Sequence, residues 1–211
     1  MSRRPVPSDV SVNAVIGYMA KQSVARPSLW PSDVQYITSP RYHASVRTDM
    51  RLFLTNGARH TSHPAPPKPS NSTTSTVVRI RSISDASHPA RGQFGLFAAR
   101  KIPPRTHIID YIGEVHCQDR LDSNYDLSLH RSQDGVNVGV DASKMGNEAR
   151  FVNDYRGIRC KPNAIFVEYR TAMGELRMSV WSSSDQIQKG DEILVSYGKS
   201  WWRFRGDQHG R

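Results

Sequence analysis

A β-rich α+β fold preceded by a short helical extension is predicted by three features of the chain. From Val77 onward, short runs rich in Val, Ile, Phe, Tyr and Trp recur between Gly and Pro residues. Before residue 58, apolar residues recur at the spacing of one helix face. A segment dominated by Pro, Ser and Thr separates the two regions, and such a composition buries too little apolar surface to offset the entropy of ordering it.

In chain order, Ser8-Asp9 is a helix cap, with Val12, Val15, Ile16 and Met19 on one face behind it. A second short helix is expected from Ser32-Asp33, after Pro31. A third is expected from Thr48 to Asn56, with Met50, Phe53 and Leu54 on one side and Gly57 as its stop. These stripes read as packing surfaces that need a partner. From Arg59 the chain passes Pro64, Pro66, Pro67 and Pro69 and then Ser70 to Thr76, a linker. His60, His63 and His88 lie in or near it without metal-ligand spacing and read as solvent-exposed.

The strands follow. Val77 to Ile80 is the first, and Thr106 to Val115 holds a second around Ile108 to Ile112. Ile165 to Tyr169 and Leu176 to Trp181 flank Met173-Gly174, a hairpin signal. Ile193 to Tyr197 is a last short strand. No repeat of a solenoid period is present.

Composition narrows the function classes. The 211 residues are 37% hydrophobic and carry a net charge of +10. The excess is uneven: residues 1–88 hold 11 Lys/Arg against 4 Asp, and residues 89–211 hold 18 against 15 Asp/Glu. A basic arm over 1–88 suits nucleic acid, a nucleosome or an acidic partner, or is a solvated tail. No run of eighteen apolar residues exists, so no membrane span is expected, and the start makes a poor secretory signal. Two cysteines, Cys117 and Cys160, build neither a disulfide framework nor a four-cysteine zinc site, which leaves an intracellular compartment as the default and no metal.

Three stretches carry chemistry. Arg91-Gly92-Gln93-Phe94-Gly95 offers two glycines that permit close backbone approach, yet lacks the dinucleotide fingerprint and the P-loop ending. Val140-Asp141-Ala142, Gly146-Asn147 and Ala149-Arg150-Phe151-Val152-Asn153 mix packing residues with polar groups able to fix a ligand. Gly190-Asp191-Glu192-Ile193-Leu194-Val195-Ser196-Tyr197-Gly198 reads as a turn containing Asp191-Glu192, an apolar strand, and a tyrosine at the strand's end. Cys117 has no paired His and acid and reads as an inert thiol.

In this order and spacing the three stretches resemble the SET-domain protein lysine methyltransferases, over roughly Val77 to Arg205. The resemblance implies several small sheets with a threaded, pseudoknot-like C-terminal segment. It divides the chain into a basic, helical extension (1–57), a linker (58–76), a SET domain (77–205) and a tail (206–211). It implies S-adenosylmethionine as cofactor, held by Gly92, Gln93, Phe94, Gly95, Tyr125, Arg150, Phe151, Asn153, Asp154 and Trp201, and a lysine-containing protein substrate, a histone by expectation. Tyr197 and Tyr111 would be the catalytic tyrosines. With Val195 they would shape the lysine channel; the family often has Phe or Tyr at the position of Val195, so its small side chain implies room for di- or trimethylation. An acidic groove from Asp119, Asp122, Asp126 and Asp134 would suit a basic histone tail. The family continues Asn-His-Ser where this chain has Asn153-Asp154-Tyr155, and that departure keeps open a catalytically weak SET-like module that binds chromatin or protein. A nuclear location follows from the histone expectation.

Overall fold

The computed structural model describes residues 25–57 and 77–198. The expected helix after Ser8 and the linker lie outside these residues. The first described segment holds β1 (Gln35–Tyr36), β2 (Arg41–Tyr42) and α1 (Thr48–Asn56). The second opens with β3 (Val78–Ser82), β4 (Phe94–Ala98), β5 (His107–Asp110), β6 (Glu114–His116), β7 (Asp126–Arg131) and β8 (Asn137–Asp141). It closes with β9 (Met145–Gly146), a 3-10 turn (Glu148–Phe151), β10 (Asn153–Asp154), β11 (Ala164–Arg170), β12 (Leu176–Ser182) and β13 (Leu194–Val195). This is the β-rich fold with little helix that the sequence predicts.

The strands form five small sheets: β1–β9, β10–β13, β11–β12–β5, β2–β6–β8–β7 and β3–β4. Their buried faces meet in a core that includes Leu96, Ile102, Val138, Val180 and Ile193, each no more than 1% exposed. The expected strand across Thr106 to Val115 is two strands. Asn147 breaks it, because its Nδ2 donates to Asp110 O (2.8 Å) and its Oδ1 accepts from Ile112 N (3.2 Å). The chain therefore leaves one sheet and enters another across Tyr111–Gly113.

The helix forms where its pattern indicates. Asp49 in the first turn complements the helix dipole, Leu54 is fully buried, and at Gly57 the backbone turns extended. Arg170 of β11 satisfies the helix end, donating from Nη1 to Phe53 O (3.0 Å) and to Gly174 O (2.8 Å). The helix is thereby docked on the β11–β12 hairpin, whose strands pair from Ala164↔Ser182 to Arg170↔Leu176.

The helix expected from Ser32-Asp33 does not form. A turn there leads into β1, which pairs parallel with β9, and Gln35 N and Ile37 N donate to Lys144 O and Gly146 O at 2.9 and 2.8 Å. Val34 and Ile37 are buried by this docking. A distant strand edge offers more than the local cap signal, so tertiary pairing overrides propensity.

The C-terminal segment Glu192–Tyr197 runs between two other segments. On one side Glu192 bridges Phe97 and Ile193 N donates to Leu96 O (2.8 Å). On the other, β13 pairs parallel with β10, and Tyr155 N donates to Val195 O (2.9 Å). Asn163 clamps it further: its Nδ2 donates to Glu192 O and its Oδ1 accepts from Leu194 N, both at 2.8 Å.

Candidate active site

The threaded segment delivers Tyr197 to a cavity of about 620 Å³. Gly92, Gln93 and Phe94 line it from the loop and strand before Gly95; Tyr125 lines it from the approach to β7. Arg150, Phe151, Asn153 and Asp154 line it from the 3-10 turn and β10, and Tyr111 and Tyr197 complete the set. Of the residues expected at the site, these ten share the cavity. Trp201 lies outside the described residues.

Gly95 and Val195 are placed elsewhere. Gly95 is buried beside the Glu192 carboxylate, where a Cβ would sit 2.6 Å from Oε1. Its missing side chain makes room for Glu192. Val195 is fully buried in the core and is not among the cavity-lining residues. Gly92 adopts φ +81°, a left-handed conformation that favours glycine.

The two tyrosines sit deep. Tyr111 is 5% exposed, and its hydroxyl donates to Tyr125 O at 2.8 Å. The Tyr197 hydroxyl donates to Val152 O at 2.8 Å. Burial pushes both phenols well above their ordinary pKa; nearby Tyr197 adds to this for Tyr111, and nearby Asp154 for Tyr197. Both therefore stay protonated at neutral pH. Because each gives its proton to a carbonyl, its oxygen can meet a donor only as an acceptor.

Asp154, where the resemblance leads one to expect a histidine, anchors Tyr197. Its Oδ2 accepts from Tyr197 N (2.8 Å) and Arg156 Nη1 (2.8 Å), and its Oδ1 accepts from Arg156 N (2.9 Å). Arg150 is 8% exposed and stacks over Tyr125 at 4.2 Å. Its Nε donates to Ala142 O (3.0 Å), while neither terminal nitrogen has an acceptor among the described residues. Asn153 donates from Nδ2 to Glu192 Oε1 (2.8 Å) and Phe94 O (3.3 Å).

Several wall residues carried no local signal. Pro31, Asp33 and Val34 come from the N-terminal segment and Phe166 from β11. The N-terminal wall is fixed by Trp30, whose Nε1 donates to Val34 O (2.7 Å) and whose ring meets Phe151 edge-on at 5.6 Å. Phe166 meets Tyr111 edge-on at 6.0 Å. An acidic groove from Asp119, Asp122, Asp126 and Asp134 does not form at this cavity: none of the four lines it, and Asp126 instead accepts from His116 at 2.9 Å. The lining acids are Asp33 and Asp154. His88 is not solvent-exposed: its side chain is 8% exposed and bonds Glu192 at 2.9 Å. Glu192 likewise belongs to the site's support and not to a surface turn.

The chain is similar to known proteins. A family model for the SET domain matches residues 93–198. The human histone-lysine N-methyltransferase EHMT1 is 29% identical over 119 residues, 54% of this chain and 9% of that protein. The mouse protein named inactive histone-lysine N-methyltransferase 2E is 30% identical over 119 residues, 53% of this chain and 6% of that protein. The chain thus spans under a tenth of the length of these two relatives. The solved structure of ATXR5 in complex with mono-methylated histone H3.1 matches the fold with a TM-score of 0.55 at 18% identity, covering 79% of this chain and 82% of that one. With Asn153, Tyr111 and Tyr197 gathered at one cavity and the family match spanning half its length, this chain belongs to the SET-domain family.

Proposed function

We propose that the protein is an S-adenosylmethionine-dependent protein lysine N-methyltransferase acting on a histone. The observation that carries this reading is the single cavity joining Gly92, Arg150 and Asn153 to the buried pair Tyr111 and Tyr197. The residues suit the cofactor. Arg150 has two terminal nitrogens that no acceptor among the described residues occupies, open to a carboxylate, and Asn153 has an amide oxygen for an ammonium. When bound, the cofactor supplies an electrophilic methyl group on a positive sulfur.

The protein's own part is positioning. A free lysine has a pKa of about 10.4, and transfer needs the neutral amine. Aromatic walls from Tyr111, Tyr125, Phe166 and Tyr197 exclude water and disfavour the charged form. The phenolic oxygens of Tyr111 and Tyr197 accept N–H bonds from the amine and hold its lone pair in line. Protonated at neutral pH, neither tyrosine serves as a base, so the amine's proton leaves to solvent. A nuclear location follows from the histone substrate. The basic residues of 1–88 would contact nucleosomal DNA, a contact expected to weaken steeply with salt.

A second reading, a SET-like module that binds chromatin or protein without turnover, is favoured by Asp154 and Tyr155 and by the inactive relative. Radiolabelled S-adenosylmethionine offered with core histones or nucleosomes separates the two. The enzyme labels a histone lysine and Tyr197→Phe does not; cofactor binding without label supports the module.

A further inference from the structure

We propose that His88 is a positioning residue for the cofactor end of the cavity, acting through Glu192 on Asn153. The inference rests on the reading that this cavity holds S-adenosylmethionine, and it adds a residue that lies before the SET match at residue 93.

The relay follows from three hydrogen bonds. Ala90 N donates to His88 Nδ1 at 3.0 Å, so that nitrogen carries no proton. The ring proton is then on Nε2 and is donated to Glu192 Oε2 at 2.9 Å. The other carboxylate oxygen, Oε1, accepts from Asn153 Nδ2 at 2.8 Å. With its nitrogen also directed at Phe94 O, the Asn153 amide has one orientation, and Oδ1 is left as its acceptor in the cavity. His88 thus fixes, through Glu192, the place of the acceptor that holds the Asn153 amide.

Burial makes the relay consequential. The side chains of His88 and Glu192 are 8% and 9% exposed. Without the Nε2–H donor, one oxygen of a buried carboxylate loses its partner, an unfavourable state that Glu192 relieves by turning toward water or toward Asn153. Either movement disturbs the amide. Gly95 is fitted to the present position, since any Cβ there would strike Glu192 Oε1. The loop that carries His88 is itself a wall, because His88, Pro89 and Ala90 all line the cavity. One side chain therefore couples wall and amide.

Two amide substitutions separate the relay from simple support of the loop. In His88→Gln the side-chain nitrogen reaches the place of Nε2 and still donates to Glu192. In His88→Asn the shorter amide reaches only the place of Nδ1, retaining an acceptor for Ala90 N but no donor for Glu192. Titration calorimetry with S-adenosylmethionine and S-adenosylhomocysteine, with steady-state kinetics alongside, is the test. His88→Asn is expected to bind about tenfold more weakly, the scale of one hydrogen bond to a buried charge. The loss should fall on the KM for cofactor, with kcat and the KM for histone within about twofold of wild type on the same scale. His88→Gln should restore binding. If His88→Asn does not fold, Glu192→Gln breaks the relay at its centre and is expected to cost the same affinity. Wild-type affinity in His88→Asn or Glu192→Gln, or equal losses in His88→Asn and His88→Gln, would overturn the relay while leaving the cofactor reading intact. A wild-type protein that binds neither cofactor form would overturn that reading and the relay with it.

Discussion

At the end of the cavity lined by Tyr111 and Tyr197, the hydroxyl groups are tied to main-chain carbonyls of Tyr125 and Val152. Around Gly92, Gln93 and Asn153, one tie reaches the main-chain carbonyl of Phe94, but the shorter one runs through the side chains of Glu192 and His88. These main-chain carbonyls sit just before β7 and β10 and do not depend on the identity of a side chain. Side-chain anchors fail when one partner changes. The tyrosine end should thus answer mutation in rate, and the glycine-loop end in cofactor affinity.

The largest expected effect breaks the tyrosine end alone. Tyr197→Phe removes one amine acceptor and should lower kcat by about 10²–10³-fold, with cofactor affinity close to wild type by calorimetry. A comparable loss of affinity would show that the two ends are not separable.

Stability behind the tyrosine end comes next. Asp110, next to Tyr111, accepts from His107, Ser179, Tyr169 and Arg177 at 2.7–2.9 Å. Burial alone would raise its pKa, but the hydrogen bonds and charge from His107, with those from Ser179 and Arg177, outweigh burial and hold the carboxyl below its usual range. A carboxylate depressed in the folded state stabilises the protein above its unfolded pKa of about 3.9, and the contribution is lost as pH falls through the folded value. Asp110→Asn should cost about 2–3 kcal/mol at pH 7 in urea unfolding. The gap from wild type should narrow as pH drops below about 4.

The glycine-loop end is sharpened by Gly95→Ala. Its methyl would lie 2.6 Å from Glu192 Oε1 and 2.9 Å from Phe97 Cε2. Moving Glu192 should weaken cofactor binding about tenfold with a stability loss of about 1–2 kcal/mol, and little change in kcat. The smallest functional effect is expected at Val195, enclosed in the core and not among the residues that line the cavity. Val195→Phe should destabilise by about 1–3 kcal/mol through overpacking. Mass spectrometry of the product should show an unchanged methyl count. A changed count would place this position on the amine channel after all.

The same contrast explains what was legible in the sequence. Local motifs announce Tyr111, Asn153 and Tyr197, because strand, turn and tyrosine are neighbours in the chain. The helix ending at Gly57 and the hairpin turning at Gly174 were legible for the same reason: a face, a stop or a left-handed turn is a local signal. His88 was misread as exposed, since its partner Glu192 is 104 positions away. Glu192 was misread as part of a turn because its neighbour Asp191 does serve one, accepting from Gln188 N. Gly95 looked like a residue for approaching a ligand, but the group it admits is that carboxylate. The helix expected at Ser32 gave way to β1 because the edge of β9 carries no trace in the local pattern. Pairings across a hundred residues leave no periodicity to read.

The most direct test of the central claim is to map the transferred methyl group. Wild-type protein would be incubated with S-adenosylmethionine and nucleosomes, and the histones sequenced by tandem mass spectrometry. The expected result is methylation confined to lysine side chains of a core histone and lost in Tyr197→Phe. Histones unmodified at every lysine, despite cofactor bound at the cavity, would contradict it.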